Sequence, residues 1–344
     1  MTALSEGLPL RLAGRSRLPV IGAAWRRGVL LALAALALAA GAPREAAAQP
    51  AQEWPSAPIR LVVPLTAGGV SDVLARALAE RLSGRLGQPV HVENRPGAKG
   101  DIAIEHVARV PADGHTLLMV PTMLAVNPSL GPTRYDPSKD FAPVTLLGET
   151  SMTLVVSNRL GVSTPAELAA MLDRPGVRLI CGSAGGLQSI ACAMLRRHAR
   201  GELTEVLYRG GTQAMQDVAT GDIDLYFALG NTAAEHVAAG RARAIASTHR
   251  TPRAGGLPLL SASLPGFVLM GWQAVVLPAG TPAEIAVRLH REIAAALAEP
   301  RFRERLAVLD VEPVAGPPED LARLLREDLV RFRRIAREAG LRGD

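Results

Sequence analysis

Short apolar runs alternate with longer amphipathic stretches along most of the chain. The run IRLVVPL (59–65) is typical of a buried strand, and DVLARALAERLSGRLG (72–87) repeats its apolar residues at helical spacing. Later strand-like runs, such as SMTLVVS (151–157), are also followed by helical patterns, and a long amphipathic helix is predicted at 318–340. This alternation of strands and helices predicts an α/β protein built in layers.

Two threonines stand where helices are expected to begin. Thr164 is followed by proline and, three residues on, by Glu167, while Thr281 is followed by proline and then by Glu284. This is the pattern of a capping box, in which the threonine hydroxyl accepts a hydrogen bond from the amide three residues later. We therefore expect one helix to start after each threonine.

Two glycine-rich loops each follow a predicted strand and precede a predicted helix. IRLVVPLTAGGVS (59–71) and VRLICGSAGGLQS (177–189) share the strand, Ala-Gly-Gly and a serine, in opposite halves of the chain. The first N–H groups of a helix have no partner within it, and glycine lets a ligand approach the backbone closely. Such loops can hold a carboxylate or phosphate, although each alone is also an ordinary turn. Two matched loops, with weaker ones at 97–101 and 210–212, favour a cleft that binds a small anion.

Patterns typical of enzymes do not fit this sequence. CGSAG (181–185) has cysteine where a nucleophile elbow requires glycine, and GAKGD (97–101) lacks the serine or threonine of a phosphate-binding loop. The seven histidines show no metal-ligand spacing. Asp72 is interpreted as a helix-start residue that balances the helix dipole. We predict no catalytic residue, no metal site and no cofactor.

The N-terminal segment has the pattern of a secretory signal. Arg26 and Arg27 precede the apolar run 28–40, and small residues at 46–48 form a cleavage site. The run is shorter than the roughly 20 residues that cross a bilayer, which disfavours the alternative of a membrane anchor. Either translation starts downstream of Met1 or WRRGVLL is a twin-arginine signal. We therefore predict a signal peptide at 1–48 and an exported, periplasmic protein of 296 residues, long enough for about two domains.

Charge and cysteine content add two expectations. The formal net charge is +6, but the basic residues are scattered and aromatic residues are only 3% of the chain, which argues against nucleic-acid binding.

Cys181 lies at a predicted strand end and Cys192 in the second turn of the next helix. Since a disulfide requires Cα atoms within about 7 Å, we expect two buried thiols.

The quoted motifs together resemble a known family. The stretch from WPSAPIRLVV to HTLLMV (54–120) resembles the start of the tripartite tricarboxylate transporter substrate-binding proteins, also called the Bug or TctC family. VNPSL (126–130), YDPSKDFAPV (135–144), LYRGGTQAMQDVATGDIDLYF (207–227), VVLPAGTP (275–282) and the C-terminal region from 312 match in order. The resemblance covers nearly all of the chain after the leader.

The resemblance implies a type II periplasmic binding fold, with two α/β lobes around a ligand cleft. The implied lobes are 56–156 with 271–344, and 157–270. The implied function is capture of a small carboxylate-bearing solute for a membrane transporter, by a monomer. The alternatives are an exported sensor or orphan binding protein, a paralogue that binds no ligand or, less favoured, an exported enzyme on the same fold.

The resemblance also implies which residues contact the ligand. They come from the first glycine loop, the region of Thr122, the second glycine loop, the GGT motif at 210–212 and the end of the predicted strand that contains Ala228. These residues are Leu65, Thr66, Ala67, Gly68, Gly69, Ser71, Asp72, Thr122, Ser183, Ala184, Gly185, Gln188, Ser189, Gly211, Thr212 and Ala228.

Several positions depart from the family pattern. Leu65 stands where the family usually has phenylalanine, Ala191 stands where it has histidine, and Ala228 stands where it often has aspartate. The glycine loop at 97–101 also differs, because it carries Lys99 and Asp101. Polar side chains that would recognise the far end of a ligand are therefore missing. A less polar ligand, such as an aromatic or branched monocarboxylate, is favoured over citrate.

Overall fold

The computed structural model describes residues 54–252 and 256–341. The predicted signal peptide at 1–48 lies outside the described residues. None of the helices in the described ranges combines the length and the apolarity that crossing a bilayer requires.

The described chain is an α/β protein, as the alternating pattern predicts. Its strands are β1 (Ile59–Val63), β2 (Val90–Asn94), β3 (Thr116–Pro121), β4 (Phe141–Ser157), β5 (Arg178–Ser183), β6 (Glu202–Leu207), β7 (Leu225–Leu229), β8 (Ala242–Ser247), β9 (Met270–Pro278) and β10 (Glu312–Gly316). Its helices are α1 (Val70–Leu86), α2 (Asp101–Val107), α3 (Met123–Leu130), α4 (Pro165–Leu172), α5 (Leu187–Arg196), α6 (Gly211–Thr220), α7 (Ala234–Ala238), α8 (Ala283–Leu297), α9 (Pro300–Val308) and α10 (Pro318–Glu338).

One long strand joins two sheets. The strand order is β2-β1-β3-β9-β4-β7-β5-β6, and β8 and β10 also pair with β4. From Phe141 to Ser151, β4 pairs with β9, and from Met152 to Val156 it pairs with β7. We call β1, β2, β3, β9, β10 and the first part of β4 the first sheet, and β5 to β8 with the end of β4 the second sheet. The strand predicted at 151–157 is thus the second half of a 17-residue strand.

Parallel strands place both glycine loops at carboxyl edges. β1 runs parallel to β2 and β3, and β5 runs parallel to β6 and β7. A loop that leaves β1 or β5 therefore starts at the carboxyl edge of its sheet, where ligands of open α/β sheets bind. Apolar side chains of α1 and α8 pack on one face of the first sheet, around Leu61, Leu78 and Leu289.

The two predicted capping boxes have different outcomes. Glu167 N donates to Thr164 Oγ1 at 3.2 Å, so the first threonine cap is confirmed. The glutamate side chain accepts from Ser163 N at 2.6 Å, one residue before the N-cap. The second box is wrong, because α8 begins at Ala283 and the hydroxyl of Thr281 donates to the Pro278 carbonyl at 2.8 Å. Thr281 closes the turn after β9, which leaves its hydroxyl unable to cap the helix.

Candidate functional site

The first glycine loop runs from the end of β1 to the start of α1 and is exposed to solvent from Thr66 to Val70. Gly69 is the N-cap of α1 and has no side chain to accept from the first turn. By helix geometry, the amides of Val70 and Ser71 lack partners within the helix. Together with the dipole of a 17-residue helix, they form a partly positive surface suited to an anion.

Charged side chains beside the loop hold its shape. Asp72, only 3% exposed, accepts from Gly68 N at 2.8 Å and from Arg76 Nε at 3.0 Å. Arg76 also donates to Asn94 Oδ1 at 3.1 Å, and Asn94 Nδ2 donates to the Leu65 carbonyl at 3.1 Å. The hydrogen bond from Arg76 holds the pKa of Asp72 below its usual range, against the opposing effect of burial. The loop is therefore fixed at both ends by one network that contains an ion pair.

This network changes the expectation for Gly68. The sequence suggests that Gly68 and Gly69 offer their N–H groups to a ligand, but Gly68 N already donates to Asp72. Gly68 has a φ of +86°, a left-handed conformation that glycine adopts without strain. The donors left for a ligand are therefore those at the start of the helix.

The second glycine loop joins β5 to α5 and is less exposed than the first. Ala184 is exposed, residues 185–187 are half-buried, and Ser183, Gln188 and Ser189 are buried. Gly185 and Gly186 both have positive φ, at 85° and 57°. Two glycines are required here because the chain reverses sharply before α5 begins.

A chain of neutral donors runs beneath the second loop. Gly185 N donates to Ser183 Oγ at 2.8 Å, the Ser183 and Ser189 hydroxyls are 3.0 Å apart, and Ser189 donates to Glu205 Oε1 at 2.5 Å. Because Ser189 uses its proton on Glu205, Ser183 is the donor of the serine pair. Neither serine has a histidine or lysine partner in the described ranges, so the arrangement positions a loop and provides no activated nucleophile.

Gln188 fixes the same loop from the other side. Its Oε1 accepts from Ala184 N at 2.9 Å, and its Nε2 donates to the Tyr226 hydroxyl at 2.6 Å and to the Phe227 carbonyl at 2.7 Å. Burial raises the pKa of Tyr226, so its phenol stays protonated at neutral pH. Gln188 is therefore fully engaged within the protein.

The two loops meet over β9. Ser71, in the first turn of α1, donates to Gln273 Oε1 at 3.1 Å. A methyl group at Gly271 would lie 3.4 Å from Leu187 Cδ2, in the first turn of α5. Positions 271 and 273 share one face of a strand because side chains alternate. The starts of α1 and α5 thus approach the same face of the same strand, two residues apart.

Thr122 joins this junction from the end of β3. Its hydroxyl accepts from Trp272 N at 2.7 Å, and Thr122 N donates to the Trp272 carbonyl at 3.0 Å. The side chain of Trp272 points to the opposite face, where Nε1 donates to buried Asp328 at 2.8 Å. Burial raises the pKa of Asp328, although the hydrogen bond from Trp272 opposes the rise.

The remaining predicted residues lie along the second sheet. Gly210 is the N-cap of α6 and has no side chain that could cap the helix. The helix begins with half-buried Gly211 and exposed Thr212. A methyl group at Gly211 would lie 2.6 Å from the Tyr226 hydroxyl, which explains the need for glycine. Ala228 is 1% exposed and packs in a cluster with Met215 and Val218.

The expectation of two free thiols is wrong. Cys181 and Cys192 form a disulfide, with Cα atoms 6.0 Å apart. The strand-to-helix separation is short because α5 begins at Leu187 and turns back directly over the end of β5. Since ten residues lie between the two cysteines, the disulfide encloses the whole second loop.

Leu187 lies within the predicted second loop, but the sequence does not predict the two residues of β9 at the junction, Gly271 and Gln273. Gly271 carried a usable signal, because a lone glycine within a strand often marks a close approach of another segment. Gln273 carried none, since its partner Ser71 lies 202 positions away.

Two sheets joined by a long strand, with two helix starts meeting beside the junction, define the fold of the periplasmic solute-binding proteins. The family model described as "Tripartite tricarboxylate transporter family receptor" matches residues 74–341. The chain therefore belongs to this family, whose members are periplasmic solute-binding proteins rather than enzymes.

Individual relatives extend the match over nearly the whole chain. The "UPF0065 protein in tcbD-tcbE intergenic region" of Pseudomonas sp. (strain P51) is 36% identical over 329 residues, covering 93% of this chain and 96% of the relative. The structure of Rpa4515 from R. palustris with adipate is 32% identical, with a TM-score of 0.72, and covers 84% of this chain and 99% of that one. MatC from Rhodopseudomonas palustris with bound malate is 28% identical, with a TM-score of 0.69, 82% coverage of this chain and 99% of its own.

Proposed function

We propose that this protein captures a small carboxylate-bearing solute outside the cytoplasm and delivers it to the membrane subunits of a tripartite tricarboxylate-type transporter. The observation that carries the proposal is the approach of the α1 and α5 starts to one face of β9, through Ser71 with Gln273 and Leu187 with Gly271. Helix starts and glycine loops bind carboxylates through backbone N–H groups. The adipate and malate bound in two similar structures support this ligand class.

The proposal includes how the chain is organised around its ligand. Residues 56–156 with 271–344 form one lobe and 157–270 the other, with β4 crossing between them. The ligand lies between the first loop, Thr122, the second loop, Gly211 and Thr212. The leader 1–48 is removed on export, and the protein acts as a monomer.

The site also favours a ligand with a modest number of polar groups. Gln188, Ser183 and Ser189 are engaged in holding the second loop, so they have little capacity left for a ligand. Leu65 and Leu187 add half-buried apolar surface beside the two loops. A monocarboxylate with an apolar body suits this surface better than citrate.

Ligand screening tests the proposed function. Protein purified from cells is first examined by native mass spectrometry for a retained small molecule and then by thermal shift against carboxylic acids, their amides and matched amines. A carboxylate at 100 times its Kd should stabilise the fold by about 2.7 kcal/mol. Stabilisation by amines or neutral amides, with none from any carboxylate, would reject the proposal.

A further inference from the structure

Side chains of β9 alternate between two environments at the crossing of the sheets. Trp272 faces α10, where it donates to Asp328, while Gly271 and Gln273 face the starts of α5 and α1. Gly271 lets neighbouring side chains pack closely on this face, because a methyl group there would lie 3.2 Å from Thr150 Cγ2 and 3.4 Å from Leu187 Cδ2. Gln273 is thus the polar side chain that β9 presents between the two helix starts.

The amide of Gln273 is held in one orientation with its nitrogen unused. The side chain is 8% exposed, and its Oε1 accepts from Ser71 Oγ at 3.1 Å. Within residues 54–252 and 256–341, its Nε2 has no hydrogen-bond partner, and this atom is not among the polar atoms sealed from solvent. Since this nitrogen has no partner within the described residues and can still reach solvent, it is a donor open to a molecule that enters from that side.

The surroundings of the Gln273 amide favour an acidic ligand. Ser71, in the first turn of α1, contacts the Gln273 amide, and Leu187, the first residue of α5, lies against Gly271 two residues away. The N-terminal ends of two helices, each with a partly positive dipole end, therefore lie near this amide. These groups all favour an acceptor with negative charge. A carboxylate has two oxygens, so it can accept from a helix start and from a side-chain amide at once.

We propose that Gln273 is a ligand-binding residue, whose amide nitrogen donates to a carboxylate oxygen of the solute. The inference rests on the proposed function and adds a specific side chain to a site otherwise formed by backbone groups. Ser71 acts through Gln273 as a positioning residue, because its hydroxyl orients the amide.

Three single substitutions test the inference by calorimetry with the best-binding carboxylate from the screen. Gln273→Leu removes the donor and should weaken binding about 10- to 150-fold, the effect of one hydrogen bond to a charged group. Gln273→Glu keeps the size but opposes the ligand with a like charge, so it should weaken binding further. Gln216→Glu makes the same change on the exposed face of α6 and should leave Kd unchanged.

A second measurement separates ligand contact from a structural role. The side-chain amide signal of Gln273, assigned by its loss in Gln273→Leu, should shift in a nitrogen–proton NMR spectrum when the carboxylate is added. In a Ser71→Ala background, Gln273→Leu should still weaken binding several-fold. If Gln273 only supported Ser71, the second substitution would have no added effect and the amide signal would not move.

The outcomes distinguish this inference from the proposed function. Wild-type protein that binds a carboxylate, with Gln273→Leu folded and binding equally well, overturns the role of Gln273 alone. Wild-type protein that binds no carboxylate overturns the proposed function and this inference with it. Loss of binding in folded Gln273→Leu, with a ligand-dependent shift of the amide signal, supports both.

Discussion

The two glycine loops share a sequence pattern but are supported by different physics. The first loop is exposed, and its shape depends on Asp72, whose partner Arg76 is half-exposed. The second loop lies over buried neutral groups, chiefly Gln188 and Ser183, and is enclosed by a disulfide. An ion pair near water weakens with salt and acid, whereas buried neutral hydrogen bonds and a covalent link do not. The first loop should therefore weaken with salt more than the second, in which the one charged partner is the Glu205 carboxylate at the end of the serine chain.

Removing the disulfide should have the largest effect on stability. The closed loop spans about a dozen residues, and restoring its freedom in the unfolded chain costs about 3 kcal/mol. The double variant Cys181→Ala/Cys192→Ala should show this loss in urea unfolding. A reducing agent should destabilise the wild type and leave the variant unaffected.

The disulfide itself is checked by intact mass after alkylation of denatured protein without reductant. No added label is expected. Two labels would show free thiols and would remove the covalent part of the contrast between the loops.

Substitution of Gln188 should give the next largest effect. Gln188→Leu leaves Ala184 N, the Tyr226 hydroxyl and the Phe227 carbonyl without their partner, and buried groups left unpaired cost about 1–3 kcal/mol. We expect a loss of about 2 kcal/mol in urea unfolding, equal at low and high salt. Gln216→Leu, on the exposed face of α6, is the matched control and should change stability little. A loss that shrinks with salt would show that the second loop also depends on charge.

Asp72→Asn should have a smaller effect that depends on pH. The pKa of Asp72 is lowered in the folded state, chiefly by the hydrogen bond from Arg76, relative to its usual value of 3.8. Its stabilisation is therefore present above the unfolded pKa and is lost as the pH falls through the lower folded pKa. Because Arg76 is half-exposed, we expect about 1 kcal/mol at neutral pH and less at high salt.

The measurement is urea unfolding of wild type and Asp72→Asn from pH 7 down to pH 3. The difference between the two proteins should be constant near neutrality and should shrink below about pH 4. A constant difference across the whole range would show that Asp72 contributes through packing and not through charge.

Gly69→Ala should have the smallest effect on stability. Gly69 has an ordinary φ of −79°, and a methyl group there has only the Thr66 carbonyl oxygen within 4 Å, at 3.8 Å. We expect a change within about 0.5 kcal/mol, typical of surface positions. Gly68→Ala, at a φ of +86°, should cost about 1 kcal/mol more.

Ligand affinity is expected to change more than stability in Gly69→Ala. The methyl group of Gly69→Ala covers the amides at the start of α1, so the variant should bind the carboxylate more weakly while melting near the wild type. An unchanged Kd would show that the first loop only turns the chain, and the second loop would then carry the ligand.

The α/β class and the first threonine cap could be predicted from the sequence because they depend on local patterns. Thr164 caps its helix as expected, but Thr281 does not, since a turn after β9 takes its hydroxyl. The pairing of Cys181 with Cys192 depends on how closely α5 packs on β5, which no local pattern reports.

Of the candidate site, only the loops could be predicted from the sequence. Both glycine loops follow strands and begin helices, as their composition indicates. The acceptor that occupies Gly68 N is a side chain one helical turn away, and the junction at Gln273 joins segments 202 positions apart. Contacts of the second kind are set by the topology of the whole sheet and cannot be obtained from spacing along the chain.

The place of β9 in the first sheet also determines when that sheet can form. β9 lies between β3 and β4, which pair with it and not with each other within the described strands. During synthesis, β3 and β4 therefore emerge long before the strand that joins them, and the sheet stays open until residues 270–278 arrive. Pairing between distant segments is slow because a large loop must close first. The segment from β1 to β3 can pair locally, but its connection to β4 within this sheet waits for a strand that is made much later.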